Sequence, residues 1–233
     1  MIQSQSIIPP VVRTSVLPPL ESGDHLSRVE FERRYDAMPG LKKAELIEGI
    51  VYMGSPVRWN EHARPHALVL GWIVNYSNKT PPTQVGDNGS VRLDDDNMPQ
   101  PDVALILEPG RGGQATLSDD GYLEGAPELI VEVAASTASI DLNTKLRVYQ
   151  RCNVLEYVVW RVLDGVVDWF HLENGEYHRL TPGQDGIIRS LVFPGLWLDV
   201  AALLDFDSVK VLDMLGQGLA DPSHRAFVAK YSA

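Results

Sequence analysis

The segment ELIVEVAASTASIDLNTK, residues 128–145, decides the fold because it joins a buried strand to a helix. Residues 129–131 and Val133 form the continuous apolar run that is typical of a strand covered on both faces of its sheet. Glu132 interrupts this run. An isolated carboxylate is costly to bury in its charged form, so Glu132 must be paired, protonated or bound to a metal ion.

The rest of the chain alternates helical and strand-like patterns. Helical spacings cover residues 26–38, 60–76 and about 140–152, while residues 44–54 predict two strands that turn at Gly49, or one strand with a bulge there. The other strand-like segments are GSVRL, PDVALIL, PELIVEVA, EYVVWRV, VVDWFHL and YHRL. This order predicts an α/β or α+β fold, in which helices flank a mixed central sheet.

Length and composition indicate one globular domain with extensions at both ends. The chain has 233 residues, of which 44% are hydrophobic and 22% charged. We expect a Pro-rich N-terminal arm over residues 1–24, the domain over residues 25–204 and a helical extension over residues 205–233.

The single cysteine and the hydropathy pattern limit where the protein acts. Cys152 excludes an intramolecular disulfide framework and a multi-cysteine zinc site, and it indicates a reducing interior. The chain lacks the basic start and apolar block of a signal peptide, and no stretch approaches the roughly 20 apolar residues of a membrane span. We therefore expect a cytoplasmic protein with no membrane partner.

Three carboxylates occupy comparable places in the strand-like segments: Glu48, Asp102 and Glu132. If neighbouring strands carry Asp102 and Glu132, their side chains converge at one sheet edge and can share a divalent cation. Mg²⁺ is the expected ion because it prefers hard oxygen ligands and commonly bridges to phosphate. In the alternative interpretation, Glu48 and Asp102 are solvated acids at strand ends.

Lys145 lies on the flank of a helical stripe made by Leu142, Leu146 and Tyr149. In the functional interpretation, its ammonium group stabilises negative charge beside the metal ion and a phosphate. In the structural one, its stem is buried and the ammonium reaches water. Asp141, one turn earlier, would orient Lys145 or cap the helix.

Other polar and aromatic residues give weaker signals. His62 and His66 are four residues apart and could share a helical face as metal ligands, but Pro65 makes that turn irregular. We interpret His62 rather as a residue that faces the substrate or supports a ligand. Four tryptophans are interpreted as core or rim aromatics rather than as a base-stacking platform: Trp72, Trp160, Trp169 and Trp197.

The segment PDVALIL, followed by PELIVEVAASTASIDLNTKLRVYQRCNVLEYVVW, resembles the PD-(D/E)XK nuclease pattern. More narrowly, the chain resembles the Uma-two family of restriction-endonuclease domains over roughly residues 29–204, including ELIEGIVYM. The resemblance implies a restriction-endonuclease-like fold and Mg²⁺-dependent phosphodiester cleavage, with Mn²⁺ as a substitute. It also implies a catalytic set of Glu48, Asp102, Glu132 and Lys145, in which the three acids hold the metal ion.

The sequence departs from the PD-(D/E)XK pattern at its lysine. Ala134 stands two residues after Glu132, where that pattern has the lysine. In the family that the chain resembles, the lysine has moved to the following helix, which corresponds to Lys145 here.

Two functions of different classes remain. The first is a nuclease that acts on nucleic acid, with DNA expected, and the second is a non-catalytic scaffold that keeps the fold and binds partners. The net charge of −11 favours the scaffold, because phosphate binding normally calls for clustered cations. A local basic patch would favour the nuclease: Lys42, Lys43, Arg58, Arg64, Lys145, Arg147 and Arg151. A homodimer that pairs near the hairpin at Asn174 would provide one active site for each of the two strands of a nucleic acid duplex.

Overall fold

The computed structural model of the protein describes residues 17–54 and 56–231. Residues 1–16, the greater part of the expected N-terminal arm, lie outside the described residues. The remainder of that arm lies against the domain: Leu20 is buried, and the Gly23 amide donates to the Val51 carbonyl at 2.8 Å.

The elements within the described residues follow the predicted order. The helices are α1 (Arg28–Asp36), α2 (Arg64–Ser77), α3 (Ala138–Ile140), α4 (Leu146–Arg151), α5 (Val200–Leu204), α6 (Ser208–Ala220) and α7 (Pro222–Tyr231). A π-helical turn, Trp59–Ala63, leads into α2, and a second one, Asp141–Lys145, joins α3 to α4. The strands are β1 (Ala44–Ile47), β2 (Ile50–Met53), β3 (Thr83–Asp87), β4 (Val91–Arg92), β5 (Val103–Leu107), β6 (Thr116–Leu117), β7 (Leu123–Glu124), β8 (Leu129–Ala134), β9 (Glu156–Arg161), β10 (Val166–Glu173), β11 (Glu176–Leu180), β12 (Ile187–Arg189) and β13 (Trp197–Asp199).

The central sheet of the described chain has the strand order β11-β10-β9-β8-β5-β3. Only β8 and β9 run parallel, and the other neighbours within this sheet are antiparallel. The prediction of a mixed sheet flanked by helices is therefore confirmed. The edge strand β3 was not predicted, because its sequence TQVGD lacks an apolar alternation.

The alternation along β8 assigns its residues to the two faces of the sheet. Leu129 and Val131 belong to the core that contains residues of α2 and α6, whereas Ile130 and Ala134 belong to the core that contains residues of α4. Both faces are covered, as the apolar run predicts. Glu132 has the parity of Ile130 and therefore faces the helical segment that carries Lys145.

The strands β1 and β2 form a hairpin with a two-residue turn at Glu48 and Gly49. The φ angles of these residues are 51° and 73°, the positive values that a type I′ turn requires at both central positions. Of the two predicted arrangements, the structure therefore has the two strands that turn at Gly49 and not the single strand with a bulge. The turn places Glu48 beyond the end of the hairpin, where the Glu48 amide donates to Asn97 Oδ1 at 2.8 Å.

The C-terminal helices are part of the main core. Val211 and Leu215 of α6 are buried in the cluster that contains α2, and Trp72 Nε1 donates to the Trp197 carbonyl at 3.1 Å. Across residues 17–54 and 56–231, no helix combines the length and apolar character that crossing a membrane requires.

A buried carboxylate, Glu156, ties β9 to the loop that follows β12. Its oxygens accept hydrogen bonds from Ser190 Oγ and the Leu191 amide, both at 2.7 Å, and from the Val192 amide at 3.3 Å. Burial raises the pKa of Glu156 from its ordinary value of 4.5 to about 7, although these hydrogen bonds oppose the shift. At pH values between 4.5 and about 7, the Glu156 carboxyl group is therefore protonated in the folded chain and ionised in the unfolded chain.

We predict that Glu156→Gln reduces the pH dependence of folding stability. Between pH 4.5 and about 7 the folded state binds the additional proton, so the free energy of unfolding of the wild type falls as pH rises through this window. The loss should reach about 2–3 kcal/mol between pH 5 and 8. Glutamine resembles the protonated carboxyl group and should not show this loss. Urea unfolding at pH 5 and 8 measures both proteins, and parallel pH profiles would contradict the assignment.

Candidate active site

The ammonium group of Lys145 is the centre of a buried charged cluster. Its Nζ lies 2.9 Å from Glu132 Oε1, 2.9 Å from Glu45 Oε1 and 3.6 Å from Asp141 Oδ1. Lys145 is only 4% exposed. Its side chain therefore does not carry its charge to bulk water, which excludes the structural alternative considered for it.

Burial and charge shift the pKa values of this pair in ways that define its chemistry. Burial and the neighbouring acids raise the pKa of Glu132, whereas the Lys145 ammonium, 2.9 Å away, lowers it and favours the carboxylate. Burial alone would lower the pKa of Lys145, but Glu132 and Glu45 raise it well above its ordinary value. Lys145 thus stays protonated and acts as a cation, not as a proton acceptor.

Asp102 immediately precedes the neighbouring strand β5 and lies beside Glu132. The antiparallel register pairs Val103 with Val131, so the next residues outward, Asp102 and Glu132, are adjacent. The Val133 amide donates to Asp102 Oδ2 at 2.8 Å, which fixes the carboxylate against β8.

Two side chains from other elements complete the surroundings of Asp102. His62 Nε2 lies 3.2 Å from Oδ2, and Lys43 Nζ lies 3.2 Å from Oδ1. Burial alone would raise the pKa of Asp102, but the His62 hydrogen bond and the Lys43 charge hold it below its ordinary value. Asp102 is therefore a carboxylate at neutral pH. His62 supports this acid, one of the roles predicted for it.

Glu45, which the sequence interpretation missed, contributes a further carboxylate. Its Oε1 accepts hydrogen bonds from Lys145 Nζ at 2.9 Å and from the Gln100 amide at 2.8 Å. The alternation along β1 is the sequence signal that could have identified Glu45. Ile47 packs in the same core cluster as Tyr149, whereas Leu46 packs in another cluster, on the opposite face of β1. Glu45 has the parity of Ile47 and so points toward Glu132.

The structure places Glu48 outside this cluster. It is exposed at the β1–β2 turn, 3.5 Å from Arg151 and 3.8 Å from Arg147. Of the four predicted catalytic residues, the structure brings together Asp102, Glu132 and Lys145.

Lys43, also absent from the predicted catalytic set, borders the solvent. Its side chain is 31% exposed, whereas that of Lys145 is 5% exposed. Besides Asp102, its Nζ contacts Asn88 Oδ1 at 3.3 Å. Lys43 is therefore far more accessible to a ligand than Lys145.

The donor chemistry of the cluster suits a hard divalent cation. Asp102, Glu132 and Glu45 provide the carboxylate oxygens that Mg²⁺ prefers, next to a solvent-facing lysine. Within the described residues, no three His, Cys, Asp or Glu side chains are spaced to hold an ion. Lys145 lies between Glu45 and Glu132, while Lys43 and His62 contact Asp102. These acids would be the ligands of a bound ion, and the cations occupy them in this structure.

The mixed sheet, flanking helices and strand-end acids define a nuclease-like fold. The crystal structure of a "putative nuclease belonging to DUF820" from Anabaena variabilis ATCC 29413 has this fold, with a TM-score of 0.55 at 12% sequence identity. The similarity covers 75% of this chain and 97% of that one. No curated protein matches the chain. The chain belongs to the Uma2 family, described as "Putative restriction endonuclease", whose model matches residues 29–201. The resemblance to this family is confirmed.

We predict that Lys145→Met destabilises the protein far more than Lys43→Met. Methionine at position 145 leaves Glu132, Glu45 and Asp141 without their shared cation, and removing one partner of a buried ion pair costs about 3–5 kcal/mol. Lys43 is partly exposed, and Asp102 retains His62 and the Val133 amide, so its loss should cost about 1 kcal/mol or less. Denaturant unfolding measures both variants. Equal midpoints would show that Lys145 is not the central cation.

Proposed function

We propose that the protein is a metal-dependent nuclease that hydrolyses phosphodiester bonds of nucleic acid, with DNA as the expected substrate. The observation that carries this proposal is the meeting of Asp102 and Glu132 on neighbouring strands beside the Lys145 ammonium. The family description and the nuclease-like fold of the Anabaena protein support it. The arrangement corresponds to a PD-(D/E)XK site whose lysine comes from the helical segment after β8.

In this proposal Asp102, Glu132 and Glu45 hold Mg²⁺, or Mn²⁺ in its place. When bound, the ion would neutralise phosphate charge and make water a better nucleophile. Glu45 replaces Glu48 as the third metal ligand in this proposal, because Glu45 contacts Lys145 and Glu48 does not.

The remaining side chains of the cluster have distinct roles in the proposal. Lys145 draws the carboxylates of Glu132 and Glu45 together, and its permanent charge offsets the repulsion between them. Lys43 would contact a non-bridging phosphate oxygen, since it borders the solvent. His62 holds Asp102 in position through its 3.2 Å contact.

The alternative remains a non-catalytic scaffold that retains the fold. It is favoured by the net charge of −11 and by the cations that already occupy the carboxylates. The homodimer and the cytoplasmic location also stay predictions. The strand β11, which follows the Asn174 hairpin, forms an edge of the central sheet, where pairing between copies would take place.

We predict that Asp102→Asn, Glu132→Gln and Glu45→Gln each reduce Mg²⁺-dependent cleavage at least about 100-fold, since each removes a charge from the reacting centre. Glu48→Gln tests the original expectation directly: it should retain activity if Glu45 is the ligand. Glu173→Gln, an exposed glutamate at the end of β10, is the matched control.

Cleavage of supercoiled plasmid and of a labelled DNA single strand is measured in this series, and calorimetric titration with Mg²⁺ and Mn²⁺ measures ion binding. Loss of both properties in the Asp102 and Glu132 variants supports the nuclease. If the wild type neither binds these ions nor cleaves either DNA, or if the variants behave like it, the scaffold is the better description. Loss of activity in Glu48→Gln but not in Glu45→Gln would restore Glu48 to the site.

A further inference from the structure

Trp59 differs from the other tryptophans in being open to solvent. It is 74% exposed, whereas Trp72, Trp160 and Trp169 are at most 1% exposed, and Trp197 is half-buried under the Arg189 guanidinium. An exposed tryptophan leaves a large planar apolar surface and an indole N–H in contact with water. Packing inside the domain therefore does not account for Trp59.

The exposed indole belongs to the segment that enters the proposed active site. Trp59 begins the π-helical turn that contains His62, and the amides of His62 and Ala63 both donate to the Arg58 carbonyl at 3.0 and 3.1 Å. His62 in turn contacts Asp102 at 3.2 Å. Trp59 is thus anchored one turn away from a residue that touches the reacting cluster.

The neighbours of Trp59 extend the surface that it presents. Val57 is 65% exposed, and Arg58 between them is also exposed. An exposed aromatic ring beside an aliphatic side chain provides a surface on which an unpaired base can stack.

The charges around the site argue against a substrate held mainly through its phosphates. Arg58 pairs with Glu61 at 3.2 Å, Arg147 and Arg151 lie near Glu48, and Lys43 pairs with Asp102. The chain as a whole carries a charge of −11. Cations that neutralise phosphates contribute to the binding of duplexes and single strands alike. Stacking on an aromatic ring adds about 1–3 kcal/mol per base, and it needs bases that have left the helix.

We propose that Trp59, with Val57 and Arg58, forms a stacking platform for an unpaired base next to the bond that is cleaved. This inference rests on the proposed nuclease function and narrows its substrate to single-stranded nucleic acid, or to duplexes with a flap or an unpaired end. Lys43 and the carboxylate cluster then receive the adjacent phosphate.

The test is binding of a fluorescently labelled 20-nucleotide DNA single strand, and of the same sequence as a duplex, in EDTA so that no cleavage occurs. The wild type should bind the single strand more tightly. Trp59→Ala and Trp59→Leu should weaken that binding about tenfold or more, because leucine keeps apolar area but loses the ring. Trp59→Phe should keep most of the affinity. Leu163→Ala, at an exposed apolar residue between β9 and β10, is the control: Leu163 is 65% exposed and Trp59 74%.

Each other outcome overturns the platform. Equal affinity of Trp59→Ala and the wild type would do so while leaving the nuclease proposal intact, provided that Asp102→Asn still abolishes cleavage. Unchanged oligonucleotide binding with loss of self-association in sedimentation would identify Trp59 as a contact between copies of the chain. If the wild type binds neither form and cleaves neither, both proposals fail.

Discussion

A buried ammonium group among carboxylates is the constraint on which the rest of this structure depends. Lys145 contacts Glu132 from the central sheet, Glu45 from the β1–β2 hairpin and Asp141 from its own helical segment. Buried charges cost several kcal/mol each unless they are paired and hydrogen-bonded. The hairpin, the sheet and the helical segment must therefore meet at one point, and a change in any of them leaves a charge unpaired.

The two lysines of the site differ in their access to solvent. Lys145 is enclosed and holds the acids in place, whereas Lys43 borders the solvent and can meet a ligand. Asp102 is fixed by the Val133 amide and by His62, so its position does not depend on a ligand. The same turn that carries His62 presents Trp59 outward. This one turn therefore contains both the histidine that contacts Asp102 and an exposed tryptophan.

The acidic character of the chain fits this arrangement. Many of its arginines and lysines near the site are engaged by acids, so they add little to a long-range attraction for phosphate. Stacking of an unpaired base on an aromatic ring contributes binding free energy in addition to that of the phosphate contacts. The net charge that favoured a scaffold on composition alone is therefore compatible with a nuclease of single-stranded substrates.

The sequence by itself determined that β8 is buried on both faces, that Glu132 lies within it, that Asp102 stands at the start of another strand-like segment and that Lys145 borders the apolar stripe of the next helix. Each follows from local periodicity, because the spacing of apolar residues reports which side chains share a face. Only the tertiary structure showed that Glu45 contacts Lys145 and that Glu48 lies near Arg147 and Arg151 instead. The backbone pairing of Leu46 with Met98 aligns β1 with a segment far along the chain, and this contact turns Glu45 toward Lys145. The positions of Lys43, His62 and Trp59 relative to Asp102 also depend on long-range contacts. Periodicity predicts which residues share a face of one element, but it does not predict which faces pack together.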